Sequence, residues 1–368
     1  MEAKENNQST HSTEGSSIIV QQKTKQDDPA ARKKKGMNGG EKLWTALFAF
    51  GVPYSLLMFI FTHRQKVELD KRDIPQMHYS DFSLMLLFAS ILYFVKNIWE
   101  RVTYSIFEPL IDKKHQDIER VYRTKRTSKW VFDFFYYGSF ALWGFNIFHD
   151  ILPSLMGGQQ SCSTIWNSYP YAIDKFWFRE YYLLQLGGQL YKSLDQIFKK
   201  RNDSKFWEYL LHHFLALVLQ VHSYVAHVLL PGIVTLVAFD ITDIFLASLR
   251  AQEAFGFKVK IIFPLYYFVT LGVWIYLRAI FYPVCVLAGG WTDHLFGDIY
   301  PPRNRLSDLF FPLLLTFLGV MNIYWTYALV MVGLKSIKSR TYNNVYDPTI
   351  LKLKLVKEGE SLNRNLQG

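Results

Sequence analysis

Two pairs of ionisable residues lie inside neighbouring apolar stretches of this sequence. His212 and His213 precede Phe-Leu-Ala-Leu-Val-Leu, and Asp240 and Asp243 interrupt Leu-Val-Ala-Phe-Asp-Ile-Thr-Asp-Ile-Phe-Leu. Charge within a membrane-spanning helix costs at least ~2.5 kcal/mol per group, so such residues normally face a protein interior or a wet cavity. An imidazole oriented by a carboxylate can serve as a general base or a nucleophile. The two pairs therefore mark a candidate catalytic site.

The spacing of these residues predicts which of them can meet. If the two stretches are consecutive helices, they run in opposite directions, and the His and Asp pairs lie at similar depth. Asp240 and Asp243 are three residues apart and share a helix face. His212 and His213 point about 100° apart, so at most one faces the carboxylates fully.

The preceding apolar stretch, 180–198, carries Gln185, Gln189, Lys192 and Asp195 on its cytosolic half. We expect these side chains to point into the interior that the His and Asp pairs share. A hydrogen-bond node that only packs helices remains an alternative. Neighbouring histidines on one helix cannot easily both bind one ion, and His pairs spaced i, i+4 are absent, so no metal is predicted. A Gly-x-Ser-x-Gly nucleophile elbow is also absent.

Composition divides the chain into polar ends and apolar blocks. It has 368 residues, 50% of them hydrophobic, with a formal charge of +10. Residues 1–42 are rich in Gln, Asn, Ser, Thr and Lys, and we expect a disordered cytosolic segment without a secretory signal peptide. The run Lys33–Lys35 is interpreted as a flank that orients a membrane span rather than as a nucleic-acid patch.

The apolar blocks predict an all-α, polytopic membrane protein with about eight transmembrane helices. The predicted spans are 43–62, 81–99, 130–149, 180–198, 207–224, 229–249, 260–287 and 307–333. The basic loops 100–129 and 199–205 then lie on the side of both termini, which the positive-inside rule makes cytosolic. Loops 150–179 and 288–306 face the opposite side.

Two cysteines, Cys162 and Cys285, fall on that opposite side. If the compartment is the endoplasmic reticulum, a disulfide between them is compatible with its redox state. Two unpaired thiols remain an equal alternative.

The stretch from His212 to Leu246 resembles the Lag1 motif of the TLC (TRAM–Lag1–CLN8) domain family, and within it the ceramide synthases. The resemblance covers about 127–335. Further matches to the family pattern are Ser128-Lys-Trp130, Glu180 to Gly187, Tyr191 to Leu194, Phe206-Trp207-Glu208, Ser223-Tyr224, Gly232, Arg278 with Pro283, and Tyr324-Trp325.

The resemblance implies an enzyme of the endoplasmic-reticulum membrane that transfers a fatty acyl group from acyl-CoA to the amine of a sphingoid base. It implies that spans three to eight enclose a lipid and catalytic cavity. Acyl-CoA is then a co-substrate, no cofactor is implied, and no nucleic acid is a partner. A homodimer or a small accessory membrane subunit is left open.

By position, the resemblance assigns catalysis to His212, His213, Asp240 and Asp243. It assigns substrate binding to Gln185, Gln189, Lys192, Trp207, Ser223, Tyr224, Arg278, Asn322 and Trp325. The predicted organisation is a disordered N-terminus (1–42), two transmembrane helices with a basic loop (43–126), the TLC domain (127–335) and a cytosolic tail (336–368).

Several positions depart from the family pattern. Phe239 stands where the family has His, Ala216 where it has Thr, Ala247 where it has Glu, and Asn322 where it has His. The change at Phe239 removes a titratable group from the expected site. A non-enzymatic TLC protein in lipid sensing or trafficking at the endoplasmic reticulum is therefore the alternative.

Overall fold

The computed structural model describes residues 79–111, 117–167, 175–199, 206–225, 228–255, 262–294 and 305–339. The first predicted span, 43–62, and the segment 1–42 lie outside the described residues. So do residues 340–368 of the predicted tail.

The described chain is helical. Its α-helices are α1 (Phe82–Phe107), α2 (Asp117–Phe148), α3 (Thr164–Asn167), α4 (Phe178–Lys199), α5 (Phe206–Val225), α6 (Leu229–Phe255), α7 (Ile262–Trp274) and α8 (Arg305–Ser339). A π-helical segment, Ile275–Leu287, continues α7, and a second follows at Gly290–His294. Within the described ranges the extended pairing is limited to one isolated bridge, Pro153 with Gln160.

Within the part of the chain that the structure describes, four helices are long and apolar enough to cross a membrane. They are Phe82–Leu110, Leu229–Phe255, Phe263–Thr292 and Phe311–Lys335. The chain is therefore a multi-pass membrane protein, while the count of eight spans stays a prediction. The remaining long helices, α2, α4 and α5, carry more polar and charged residues, which lowers their mean hydropathy.

The predicted basic loop 100–129 is largely helical, which corrects the expectation of a loop. Helix α1 continues to Phe107, and α2 begins at Asp117. Arg123 explains part of this order, because its guanidinium donates to the carbonyl of Ala254 (3.4 Å) and pairs with Glu119 (2.9 Å). The basic side chains thus fasten α2 to the end of α6, where α-helix carbonyls lack partners of their own.

The core is formed where α2 packs along α6, α1 packs along α4, and α8 packs on the π-helical segment. Its centre is aromatic and aliphatic. Fully buried members are Phe148, Tyr181, Tyr182, Leu186, Ile233, Val237 and Tyr282. The side chain of Tyr282 donates to the Leu315 carbonyl at 2.7 Å, which ties the π-helical segment to α8.

The π-helical segment contains Pro283, whose ring has no N–H to donate and disturbs a regular α-helix. At its end, the N–H of Ala288 donates to the Pro283 carbonyl, five residues earlier. π-Helical turns of this kind are often found at functional sites, because they re-aim side chains. Here the segment buries Arg278.

A disulfide joins Cys162 to Cys285, which settles the alternatives left by the sequence. It links the segment between α2 and α4 to the π-helical segment. Next to it, the Trp166 indole donates to the Cys285 carbonyl at 3.4 Å.

Candidate active-site cavity

One cavity collects most of the residues that the sequence singled out. It measures about 110 Å³ and lies between α2, α4, α5, α6, the π-helical segment and α8. Its lining includes His212, His213, Asp240, Asp243, Gln185, Gln189, Lys192, Ser223 and Arg278.

Four predicted substrate-binding residues are not among the lining residues. Trp207 is 75% exposed on the outer surface of α5, and Tyr224 is buried and donates to Asp81 (2.6 Å). Asn322 is buried on α8, and Trp325 packs its ring against that of His212, with 6.3 Å between centroids. Trp325 therefore contacts the His212 ring but is not part of the cavity wall.

Asp243 is neutralised by Arg278. The guanidinium donates to its Oδ1 at 2.6 Å and to the Thr242 hydroxyl at 2.7 Å. The same guanidinium lies 4.1 Å from the ring centroid of Phe239 and 4.2 Å from that of Trp274. Phe239, which replaces the family His, thus supplies one of two aromatic faces that hold the cation.

Asp240 has a different partner, because the Gln185 side-chain amide donates to its Oδ2. Gln185 also donates to the Tyr181 hydroxyl at 3.3 Å. Asp240 is buried, whereas Asp243 is only partly buried. The two carboxylates therefore sit in distinct environments although they share one helix face.

Lys192 brings a second cation to the cavity. Its ammonium group donates to the Tyr137 hydroxyl at 3.1 Å and lies 4.5 Å and 4.2 Å from the ring centroids of Tyr136 and Tyr137. A lysine that is held by hydroxyl and aromatic groups keeps donors to offer to a negatively charged oxygen.

The two histidines differ in how they are held. Gln189 bonds to the Nδ1 of His213 (3.1 Å) and donates to the His213 carbonyl (3.0 Å). The Nδ1 of His212 is buried and has no hydrogen-bond partner. The adjacent positions point in different directions, as expected, and only His213 is fastened to α4.

The expected hydrogen bond between an imidazole and a carboxylate is not formed among the described residues. Asp243 bonds to Arg278 and Asp240 bonds to Gln185. At Asp243 the guanidinium of Arg278 brings a full positive charge, whereas a neutral imidazole brings only the dipole of its N–H group.

Sequence reasoning missed four polar residues of the lining, namely Tyr137, Tyr182, Gln220 and Thr235. Each of these polar residues interrupts a predicted apolar span, so the sequence pattern could have identified them as candidates for the site. Gln220 lies two turns beyond His213 on the same helix, and seven residues is close to a whole number of turns.

The fold and the cavity define a helical membrane protein with a polar cavity between its helices. The family model of the TLC domain matches residues 126–331, more than half of the chain. The chain belongs to the TLC domain family, and its curated relatives are ceramide synthases.

Three relatives illustrate the similarity. Ceramide synthase hyl-2 of Caenorhabditis elegans is 28% identical over 192 residues, which cover 50% of this chain and 56% of that protein. Ceramide synthase 4 of Mus musculus is 29% identical over 174 residues, 45% of this chain and 40% of that protein. Sphingosine N-acyltransferase lac1 of Schizosaccharomyces pombe is 26% identical over 192 residues, 50% of this chain and 48% of that protein. The chain thus aligns with about half the length of these relatives.

Proposed function

We propose that this protein is a ceramide synthase, which transfers a fatty acyl group from acyl-CoA to the amine of a sphingoid base such as sphinganine or sphingosine. The family and the names of the relatives support an acyltransferase of this class. The single observation that carries the proposal is that His212, Asp240, Asp243 and Lys192 line one cavity.

In this reaction the amine nitrogen bonds to the thioester carbonyl carbon, the carbon–sulfur bond breaks, and the CoA thiolate leaves. The amine loses one proton and the thiolate gains one. His212 is the side chain suited to move that proton, because its ring is not committed to a protein partner, whereas Gln189 holds His213.

The charged residues have supporting roles in the proposal. Lys192 and the hydroxyl of Tyr137 stabilise the oxygen that becomes negative when the amine attacks the carbonyl. Asp240 offsets the charge of Lys192, and Asp243 fixes Arg278 on the wall of the cavity. The reaction requires no cofactor beyond acyl-CoA as co-substrate.

The proposed location is the endoplasmic-reticulum membrane, with both termini and the mouth of the site on the cytosolic side. The disulfide supports this arrangement, because it forms in an oxidising compartment and lies in the segments assigned to the opposite side. Acyl-CoA then approaches from the cytosol.

A non-enzymatic role in lipid sensing or trafficking is the second candidate. The observation that favours it is the closed pairing of Asp243 with Arg278 beneath Phe239, which leaves this carboxylate without a direct contact to an imidazole. A packed ion pair of this kind can be purely structural.

The deciding experiment measures amide formation in membranes that contain the full chain, with labelled sphinganine and a panel of long and very long acyl-CoAs. The control is His212→Ala. Product that disappears in the control supports the acyltransferase. Absence of product with every acyl-CoA, from protein that is folded and membrane-inserted, would favour the lipid-sensing role.

A further inference from the structure

The cavity continues beyond the histidines as a narrow space between α5 and α6. Its far end lies at Ser223 and Gly232, since a Cβ added to Gly232 would lie 2.7 Å from the Ser223 hydroxyl. The helices are antiparallel, so His212 and Asp243 occupy the near end. From His212 to Ser223 the helix rises about 16 Å, which is the distance along α5 between the two ends of the cavity wall.

Most of the wall between these ends is apolar, with Leu219, Leu236 and Leu315 among its members. The hydroxyl groups there donate to the protein itself. Ser223 donates to the Val228 carbonyl, and Thr235 donates to the Pro231 carbonyl at 2.8 Å. These hydroxyl protons are therefore not available to a ligand, although the Thr235 oxygen can still accept a hydrogen bond.

Gln220 is the exception in this part of the wall. Its Oε1 is buried without a hydrogen-bond partner, and its amide nitrogen makes no hydrogen bond to the described residues. A buried amide oxygen that is left unpaired is destabilising, so its position on the wall of the cavity favours a ligand with a hydrogen-bond donor. The Tyr182 hydroxyl, which also lines the cavity, donates instead to the backbone carbonyl of Gln220, at 3.3 Å.

Helical rise places Thr235 at about the same height on the opposite helix. Ser223 on α5 lies against Gly232 on α6. Three residues closer to the histidines, the corresponding positions are Gln220 on α5 and Thr235 on α6, so these two residues face each other across the cavity. Gln220 is eight residues from His212, and Thr235 is eight residues from Asp243, which puts both about 12 Å from the reacting groups.

We propose that this cavity selects a lipid chain that carries a hydroxyl group about 12 Å from the reacting carbon, and that the hydroxyl binds between Gln220 and Thr235. A hydroxyl both donates and accepts, so it satisfies either end of the Gln220 amide and can also donate to the Thr235 oxygen. A keto group only accepts, and an unsubstituted chain leaves the amide unpaired.

This inference rests on the proposed function for its reaction but names the substrate class more closely. Two lipids could carry the hydroxyl, namely the acyl chain of the acyl-CoA and the hydrocarbon chain of the base. The first arm of the test varies the acyl-CoA with plain sphinganine. The second arm varies the base with plain stearoyl-CoA.

The test compares kcat/KM for stearoyl-CoA, a stearoyl-CoA with a hydroxyl in the middle of the chain, and one with the hydroxyl next to the carbonyl. We expect the wild type to prefer the mid-chain isomer by roughly tenfold, the value of one additional hydrogen bond to an otherwise unpaired group. Gln220→Met, which keeps length but cannot bond as an amide, should abolish this preference. The matched control Leu315→Met should keep it.

Equal use of the three acyl-CoAs in the first arm, together with equal use of plain and hydroxylated bases in the second, would overturn the inference. Retention of a preference in Gln220→Met would overturn it as well. If no amide forms with any substrate, the proposed function fails instead. The inference about the hydroxyl group is then tested separately, by measuring ligand binding. Thermal stabilisation by mid-chain hydroxystearoyl-CoA should then exceed that by stearoyl-CoA in the wild type but not in Gln220→Met, and equal stabilisation would overturn it.

Discussion

Two clusters of charged residues inside this protein differ in what surrounds them. The anchor cluster consists of Asp81, Arg179 and Tyr224, and the cavity cluster consists of Lys192, Asp240, Asp243 and Arg278. In the anchor cluster, one Asp81 oxygen accepts from Arg179 and the other from Tyr224 at 2.6 Å. In the cavity cluster, the charged groups surround a space of about 110 Å³.

The difference is one of packing. Tyr224 is 1% exposed, stacks on Tyr182 with 5.6 Å between centroids, and meets the edge of Phe82 at 5.9 Å. The anchor cluster therefore joins the beginnings of α1 and α4 to the end of α5 without room for a ligand. A buried ion pair that is packed on all sides serves the fold, whereas one beside a cavity can also serve a substrate.

The largest effect on stability is expected from the anchor cluster. Asp81→Asn leaves Arg179 buried without its counter-charge, and breaking such a pair typically costs about 3–5 kcal/mol. Unfolding in detergent measures this loss, and acyl transfer per folded molecule should stay at the wild-type level. Unfolding of Asp81→Asn together with the wild type would contradict the structural role. If folded Asp81→Asn lost acyl transfer, the anchor cluster would also be needed for the reaction, and the two clusters would not differ in function.

The second-largest effect is expected on acyl-transfer activity. Lys192→Met removes a cation from the cavity, and the loss of one donor to a developing oxyanion lowers kcat by about 10²-fold or more. The matched control is Lys96→Met, because Lys96 is also buried and lies 5.4 Å from the ring centroid of Tyr191, but outside the cavity. Measurement of kcat for both variants should show a larger loss in Lys192→Met than in Lys96→Met. Equal losses of kcat would show that any buried lysine matters in the same way.

A smaller effect should follow from Phe239→Leu, which removes one aromatic face from Arg278. A desolvated cation–π contact is worth up to about 2 kcal/mol, so transfer should fall by roughly tenfold as the Arg278–Asp243 pair loosens. Trp274→Leu removes the other face and should cause a loss of similar size. Kinetics that are unchanged in both variants would show that the aromatic rings do not hold the guanidinium in a functional position.

The smallest effect is expected outside the membrane-spanning helices. The hydrogen bond from Lys175 is the main cause of a lowered pKa of Asp150. The ion pair therefore stabilises the fold above the ordinary pKa of an aspartate, and this contribution is lost as the pH falls through the lowered value. Because the Asp150 side chain is 42% exposed, the contribution should be well under ~1 kcal/mol. Asp150→Asn should melt slightly below the wild type at neutral pH and together with it at pH ~2; a gap that widens in acid would contradict this sign.

The sequence was sufficient to predict that the polar residues of α4 point into a shared interior. Gln185, Gln189 and Lys192 recur every three or four residues, which places them on one face. Trp207 could have been recognised as outward-facing by the same rule, because Leu211 and Phe214 continue its face as an exposed apolar stripe.

The pairing of charges could not be predicted in this way. Arg278 lies 35 residues from Asp243, and only the π-helical segment aims its guanidinium at that carboxylate. Tyr224 was assigned to the site because Ser223-Tyr224 matches the family pattern. Only Ser223 lines the cavity, since adjacent positions on a helix face different neighbours. The helical period therefore predicts which side chains share a helix face. It does not predict which residues of other helices contact them.

The most direct test of the account measures acyl transfer by His212→Gln, normalised to folded protein in the same membranes. His212 makes no hydrogen bond through its buried Nδ1, so its replacement should leave the unfolding temperature close to that of the wild type. We expect transfer to fall by about 10²–10⁴-fold, the usual contribution of a positioned general base. Wild-type transfer by folded His212→Gln would contradict the assignment of this histidine, and with it the claim that an uncommitted imidazole in the cavity performs the reaction.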